Sequence, residues 1–366
     1  MSSKANKNQE SQKAIVNVAV AVIHHKDQYL LGFRDAAQHQ GNLYEFVGGK
    51  IDNNESGEQA VIREVAEETG IAIQNSTVVK LGRLHHDYGD KQVSLQVYKV
   101  ELTTAQYEQY KHCQYGLEDQ ALVWVNKLDL LAGLYALPAA NKTILGWLSV
   151  PTTIAITYPL THFNTTYSDP TLGWLQYHQE NLMPESWVYI RVKEVVSEDI
   201  VGRLMRQRPD ISVILSHDFD HSFLVTEELI VENEQTSQQV VAHHLTHTTL
   251  MQWSDTIQDS AASAQLISHT HPLIVSCHDA ASINVANRLA STRLEQQLPP
   301  VIGAFLSPVL MTQTHPHAEP LGWETWSSLA QLADMPIIGL GGLSPKMIDQ
   351  ALTYGGISVA GIRQFY

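Results

Sequence analysis

Residues 48–71 read GGKIDNNESGEQAVIREVAEETGI, and their spacing governs the first half of the chain. Gly48 and Gly49 are followed after five residues by Glu55, after seven more by Arg63-Glu64-Val65, and then by Glu67-Glu68 and Gly70-Ile71. At 3.6 residues per turn, Glu64, Glu67 and Glu68 stand at i, i+3 and i+4 and share one face of a helix expected over residues 57–69, while Ala60, Val61 and Val65 supply its packing. On its own an acidic run of this kind is a solvated helix face. The added glycine and arginine spacing points to a cation site instead, because clustered carboxylates repel one another and hard oxygen donors suit Mg²⁺ or Mn²⁺, which in turn bind phosphates. Gly48 and Gly49 let backbone approach a metal or phosphate closely, Gly70 can end the helix in a left-handed conformation, and Arg63 can brace Glu67 one turn on.

Outward from this helix, apolar runs at 16–23, 29–33, 78–84, 93–100 and 121–125 read as strands, and 141–148 as a second helix behind Pro138. The 366 residues exceed twice a common domain size of roughly 150, so two domains are expected. The first 14 residues are polar and lack the apolar core of a signal peptide, and read as a flexible tail. The first domain spans 15–149, Val150-Pro151 marks the break, and the second domain spans 151–366. Hydrophobic residues make up 44% and charged residues 17%, which fits a soluble chain without a membrane span. Lys and Arg number 23 against 38 Asp and Glu, a formal net charge of −15, so long nucleic acid and anionic membrane are disfavoured as partners. Two cysteines, Cys113 and Cys277, are too few for a disulfide framework and fit the reducing cytoplasm.

Beyond residue 150, short apolar runs recur at 154–157, 187–192, 213–216, 240–244, 273–277, 302–306, 337–340 and 357–361. Their starts lie 20 to 35 residues apart, room for a strand, a loop and a return helix, so eight βα units closing into a barrel are expected. The stretch 252–265 reads as a weak helix. Gly339, Gly341 and Gly342 end the seventh run and Gly361 the eighth, where they serve either tight turns or a phosphate cradle of backbone amides.

The segment 48–71 matches the Nudix box at every fixed position, and residues 15–148 resemble the MutT branch of that family. Further likeness lies in YEFVGGK at 44–50, DYGDKQVSLQVYKVE at 87–101, GLEDQ at 116–120 and LPAANK at 137–142. The resemblance implies an α/β/α sandwich with a mixed sheet, and Mg²⁺-dependent hydrolysis of a nucleoside triphosphate to monophosphate and pyrophosphate, with 8-oxo-dGTP as substrate and avoidance of replication errors as purpose. It implies metal ligands at Glu64, Glu67, Glu68, Glu118 and the Gly48 backbone, with Mn²⁺ as a possible substitute. Glu64 is the first candidate for the base that activates water and Glu118 the second, its loop needing to close; Arg63 belongs to the same catalytic set. Arg34, Phe46 and Asn141 match positions that hold the base. Asn141 offers a donor and an acceptor to a purine edge, and is equally suited to cap the following helix. Val47 stands where the family usually has Pro. Hydrolysis of another nucleoside diphosphate derivative is the alternative.

Residues 154–366 resemble thiamine-phosphate synthase and its TenI-like relatives, most clearly at 276–289, 306–324 and 339–346, which implies a TIM barrel of that type. Arg191, Lys193 and Asp218 match family positions loosely. The acidic segment after the fourth strand is HHLTHTTL here, and the family's loop lysine is His315 in Thr312-Gln313-Thr314-His315. Departure of pyrophosphate needs metal and cation stabilisation, whereas binding needs only amides and a shaped pocket. A degenerate module that binds thiazole phosphate or thiamine phosphate through Gly339, Gly341, Gly342 and Gly361 is therefore expected, with an active transferase as the alternative. Zinc at His243, His244 and His247 is disfavoured for want of a base between the ligands, and Cys277 reads as strand packing rather than a nucleophile.

Overall fold

The computed structural model describes residues 15–37, 41–89, 91–191, 198–219, 239–256, 267, 269–312 and 318–366. The expected tail 1–14, Lys193, Gln313, Thr314, His315 and residues 257–265 of the weak helix lie outside them. Among the described residues no helix is long and apolar enough to cross a membrane.

The first unit is a mixed seven-stranded sheet built from β1 (Ile15–His25), β2 (Gln28–Phe33), β3 (Tyr44–Glu45), β4 (Val47–Lys50), β5 (Thr77–Asp87), β6 (Gln92–Glu101) and β7 (Ala121–Asn126). The path runs β3-β2-β1-β6-β5, with β4 on β1 and β7 on β2. Only β1 and β6 are parallel among these pairs; the others are antiparallel. The short strands β3 and β4 are absent from the sequence-based expectation, because Gly48-Gly49 reads as loop until β1 supplies partners for Val47–Lys50.

Period-two alternation in β1 gives the sheet two buried faces. Ala19, Ala21 and Ile23 join Ala60, Val61 and Val65 of α1 (Gly57–Thr69), whereas Val20 and Val22 face the other way and join Ile144, Trp147 and Leu148 of α4 (Asn141–Ser149). Between these helices in chain order lie α2 (Thr104–Tyr110) and α3 (Lys127–Leu131). Helix α1 begins with a reciprocal capping box between Ser56 and Gln59 and ends on Gly70 at φ 75°. Its bounds coincide with the expected 57–69.

The second unit is a closed parallel barrel in which β8 (Thr153–Ile156), β9 (Trp187–Tyr189), β10 (Ser212–Ser216), β11 (Val240–Leu245), β12 (Leu273–Cys277), β13 (Val301–Leu306), β14 (Ile337–Leu340) and β15 (Ser358–Gly361) pair in sequence and β15 returns to β8. All eight expected runs carry a strand; β9 stops short of Val192, which is not described. Around them run α5 (Pro170–Asn181), α6 (Glu198–Gln207), α7 (His247–Thr256), α8 (Ala280–Glu295), α9 (Gly322–Ala330) and α10 (Ile348–Thr353). Strand residues facing these helices form one core, while Ile154, Ile214, Ala242, Ile274, Ile302 and Ile338 fill the lumen and belong to the same apolar cluster as the α4 face of the sheet.

His178 on α5 is fully buried, with Nε2 accepting from the Tyr158 amide at 3.1 Å and Nδ1 donating to the Trp174 carbonyl at 2.7 Å. Burial lowers its pKa to about 4, so the folded state refuses a proton that the unfolded chain takes up below about 6.5. Stability is present above the unfolded value and is lost as pH falls toward 4, by about 2 kcal/mol at pH 5 from this residue. Urea unfolding at pH 7 and pH 5 should show that loss, and the slope should flatten in His178→Asn.

Candidate active site

The carboxylates of α1 are organised by one guanidinium. Arg63 Nη1 donates to Glu64 Oε1 at 2.8 Å and to Glu67 Oε2 at 3.0 Å, while Nη2 donates to Glu55 Oε1 at 2.6 Å and to the Lys50 carbonyl at 3.0 Å. These bonds hold Arg63 more firmly protonated and pull the Glu55 carboxyl below its usual range. Arg63 thus ties α1 to the loop leaving β4.

Gly49 sits under this net, for a Cβ there would lie 2.2 Å from the Glu64 carboxyl carbon. At Gly48 a Cβ would meet the Ala19 carbonyl oxygen at 2.2 Å, so β4 can pair with β1 at this register only with glycine there. The Gly48 backbone also acts on Glu68, favouring its charged form.

Glu68 is where the charges converge. Burial, reinforced by the negative charges of Glu45, Glu64 and Glu118, pushes its pKa up to about 8. Gln120 Nε2 donates to Glu68 Oε2 at 3.2 Å. Glu118 is exposed on the turn before β7, and the sequence-based expectation was that its loop must close to reach the other carboxylates. The loop is instead anchored in place: the Leu117 amide donates to the Glu68 carbonyl at 2.6 Å, and a Cβ at Gly116 would meet that oxygen at 2.3 Å.

Among the described residues, no three His, Cys, Asp or Glu side chains are already disposed as a metal cage. Mg²⁺ does not require one, since it usually takes one or two carboxylates, substrate phosphates and water. The donor set fits such an ion: hard oxygens on one helix face, and a half-buried carboxyl whose pKa is raised by desolvation and then by the negative charge of its neighbours.

At β3, Arg34 Nε pairs with Glu45 Oε2 at 2.7 Å. Burial raises Glu45 against the opposing pull of Arg34, and both charges reach Tyr88. Phe46 is buried in the core that also contains Ala140 and Ile144. Asn141 is buried as the first residue of α4, whose cap position is Ala140 with no side-chain cap bond, so the helix-capping role open to Asn141 in the sequence is not adopted. The Tyr44 amide donates to the Ala136 carbonyl at 2.8 Å and ties β3 to the loop entering α4. Sequence reasoning passed over Glu45, Gln120 and Tyr88. A lone carboxylate within the apolar run from Tyr44 to Val47 was the available signal for Glu45, since a buried charge demands a partner.

At the carboxyl ends of the barrel strands, Tyr189 Oη and His244 Nδ1 lie 2.8 Å apart and His244 Nε2 lies 2.8 Å from Ser276 Oγ, with burial holding His244 far below the usual imidazole range. His243 stacks on His271 and His247 lies against His278, so the three histidines of this stretch have separate neighbours. Cys277 ends β12, fully buried, its thiol pushed up to about 12 by burial. Asp218 is hydrogen-bonded to Ser216. The barrel glycines are closely covered: a Cβ at Gly339 would meet Leu343, at Gly341 the Pro308 Cα, at Gly342 the Met311 carbonyl and at Gly361 the Phe365 ring, all within 3 Å. Backbone contact and a left-handed φ therefore require glycine at Gly341 and Gly342, whereas Gly339 and Gly361 are covered by side chains.

A family model for the NUDIX domain matches residues 18–147, and one for thiamine monophosphate synthase matches residues 259–365. The 8-oxo-dGTP diphosphatase of Escherichia coli K12 is 31% identical over 131 residues, covering 36% of this chain and 93% of that protein. The CTP pyrophosphohydrolase of the same organism is also 31% identical over 131 residues, covering 36% of this chain and 89% of that protein. A putative thiamine-phosphate synthase 2 of Aquifex aeolicus is 33% identical over 60 residues, 16% of this chain and 32% of that protein.

The geometry at Gly49 yields a direct test. An added methyl must displace the Glu64 carboxylate, a flexible group, rather than backbone. Gly49→Ala should therefore keep its circular dichroism and unfolding midpoint close to wild type while turnover falls by about 10²-fold, the usual cost of a misplacement near 1 Å.

Proposed function

Because the chain belongs to the Nudix family, with a thiamine-phosphate-synthase-type barrel fused behind its Nudix domain, we propose that it is a Mg²⁺-dependent nucleoside triphosphate pyrophosphohydrolase that converts 8-oxo-dGTP to 8-oxo-dGMP and pyrophosphate. The observation that carries this reading is the convergence of Glu45, Glu64 and Glu118 on the half-buried Glu68, beside the Arg63 net.

Glu64, Glu67, Glu68, Glu118 and the Gly48 backbone would hold Mg²⁺, or Mn²⁺ in its place, and the bound ion would neutralise charge on the phosphate oxygens. Glu64, fixed through Oε1 by Arg63, takes a proton from the attacking water; the new oxygen–phosphorus bond forms as the anhydride bond between the α and β phosphates breaks. Arg63 keeps Glu64 and Glu67 at set positions on the helix. Arg34 and Phe46 form the base-side wall, and Asn141 offers its amide to the oxidised purine edge. Arg34 is itself positioned by Glu45, which makes Glu45 a bridge between base recognition and the carboxylate cluster.

A second reading, CTP as substrate, draws support from the equal 31% identity to the CTP pyrophosphohydrolase. The barrel, in our reading, binds a phosphorylated ligand such as thiazole phosphate or thiamine phosphate at the loops of Gly339, Gly341, Gly342 and Gly361 without turning it over.

Pyrophosphate release from 8-oxo-dGTP, dGTP and CTP, measured side by side with Mg²⁺, tests the substrate. We expect the highest kcat/KM on 8-oxo-dGTP; preference for CTP would transfer the assignment to the second reading. Glu67→Gln and Glu68→Gln should each lower kcat by at least about 10²-fold with the fold intact. Full activity in both variants would remove the metal assignment.

A further inference from the structure

The two units share one apolar core. Val20, Val22, Leu31 and Phe46 of the sheet, Ile144, Trp147 and Leu148 of α4, and the lumen residues Ile154, Ile302 and Ile338 belong to a single buried cluster. Trp147 is the wedge between the units. Its indole Nε1 donates to the carbonyl of Val301, the first residue of β13, at 3.1 Å, and on its other side a Cβ at Gly82 of β5 would come within 2.8 Å of the ring. Immediately before Trp147 in the chain, Gly146 lies so close to the barrel that a Cβ would stand 3.1 Å from Ile302. The rim is pinned as well: Lys80 Nζ donates to the Gln331 carbonyl at 2.8 Å, and Arg83 Nε pairs with Asp334 Oδ1 at 3.0 Å.

Helix α4 carries Asn141 at its first residue and Trp147 less than two turns later. A helix of this length is stiff, so whatever fixes Trp147 fixes Asn141. Helix α4 is buried against the sheet on one side and the barrel floor on the other, and the second of these contacts comes entirely from the fused barrel. We infer that Trp147 is a positioning residue for base recognition, clamping α4 to β13 of the barrel so that Asn141 and Phe46 keep a fixed separation. The inference rests on the proposed nucleoside triphosphatase reading and deepens it.

The position of Trp147, away from the carboxylates of α1, defines a kinetic signature. Loosening α4 should weaken recognition of the base and leave the chemistry at phosphorus alone. A residue with a merely structural role would instead lower the active fraction, reducing kcat for every nucleotide alike with KM unchanged.

The experiment uses the full chain and the nucleotide that the wild type hydrolyses best, with its unoxidised or alternative counterpart as comparison. Trp147→Phe keeps the ring packing and removes the donor to Val301. We expect KM for the preferred nucleotide to rise about 3- to 10-fold, its preference over the comparison nucleotide to fall by a similar factor, and kcat to stay within about twofold. Trp147→Leu should shift both further in the same direction. Should the leucine variant fail to fold, Arg83→Ala releases the exposed rim pair without touching the core and is expected to raise KM by about twofold. Unchanged KM and preference in both folded Trp147→Phe and Arg83→Ala would overturn the positioning role while leaving the hydrolase reading in place. A wild type inactive on every triphosphate would overturn the hydrolase reading, and this inference with it.

Discussion

Crowding of negative charge at Glu68 is the constraint that the Nudix domain is arranged to satisfy. Two unit charges about 4 Å apart near a protein surface repel by roughly 4 kcal/mol, a large share of the roughly 5–15 kcal/mol that holds a domain together. Glu45, Glu64 and Glu118 all act on Glu68 in this sense, and burial adds to the cost. The compensation is local. Arg63 engages Glu55, Glu64 and Glu67, Gln120 donates to Glu68, and Arg34 pairs with Glu45. The helix that bears the carboxylates is fixed at both ends, by the Ser56–Gln59 box and by Gly70, so the repulsion is not relieved by fraying. One guanidinium shared among Glu55, Glu64 and Glu67 leaves a net negative charge on this cluster, which suits a cation, and a cation held there suits phosphate.

The same sheet is used twice. Its α1 face carries the carboxylates, and its α4 face joins the barrel lumen in one apolar cluster through Trp147. The glycines follow from that economy of space, since Gly82 and Gly146 let β5 and α4 approach the barrel, just as Gly48 and Gly49 let β4 approach β1 and Glu64. The barrel closes all eight strands although the family model for thiamine monophosphate synthase matches only residues 259–365. Its lumen core and its contact with α4 depend on apolar side chains.

Much of this was legible in the chain because the governing forces act over short distances. The bounds of α1 follow from a cap, a periodic face and a terminal glycine, and the barrel strands follow from apolar runs spaced for return helices. What escaped depends on partners distant in sequence. β4 is a strand only because Ala19 and its neighbours lie opposite Gly48-Gly49. Glu45 gains its meaning from Arg34 and Glu68, the Glu118 loop from the Glu68 carbonyl, and Trp147 from Val301, 154 residues away. Asn141 could cap or read a base on local grounds, and only the placement of Ala140 at the cap removes the first option.

The central claim is that the carboxylates around Glu68 form a divalent-cation site in the protein before any nucleotide arrives. Titrating the full chain with Mn²⁺ and following the loss of the free-ion electron paramagnetic resonance signal measures this directly. The account predicts saturable Mn²⁺ binding that Mg²⁺ displaces and that Glu68→Gln weakens by about tenfold or more. Equal Mn²⁺ binding by the wild type and the Glu68→Gln variant, or none by a wild type that still hydrolyses nucleotide, would contradict it.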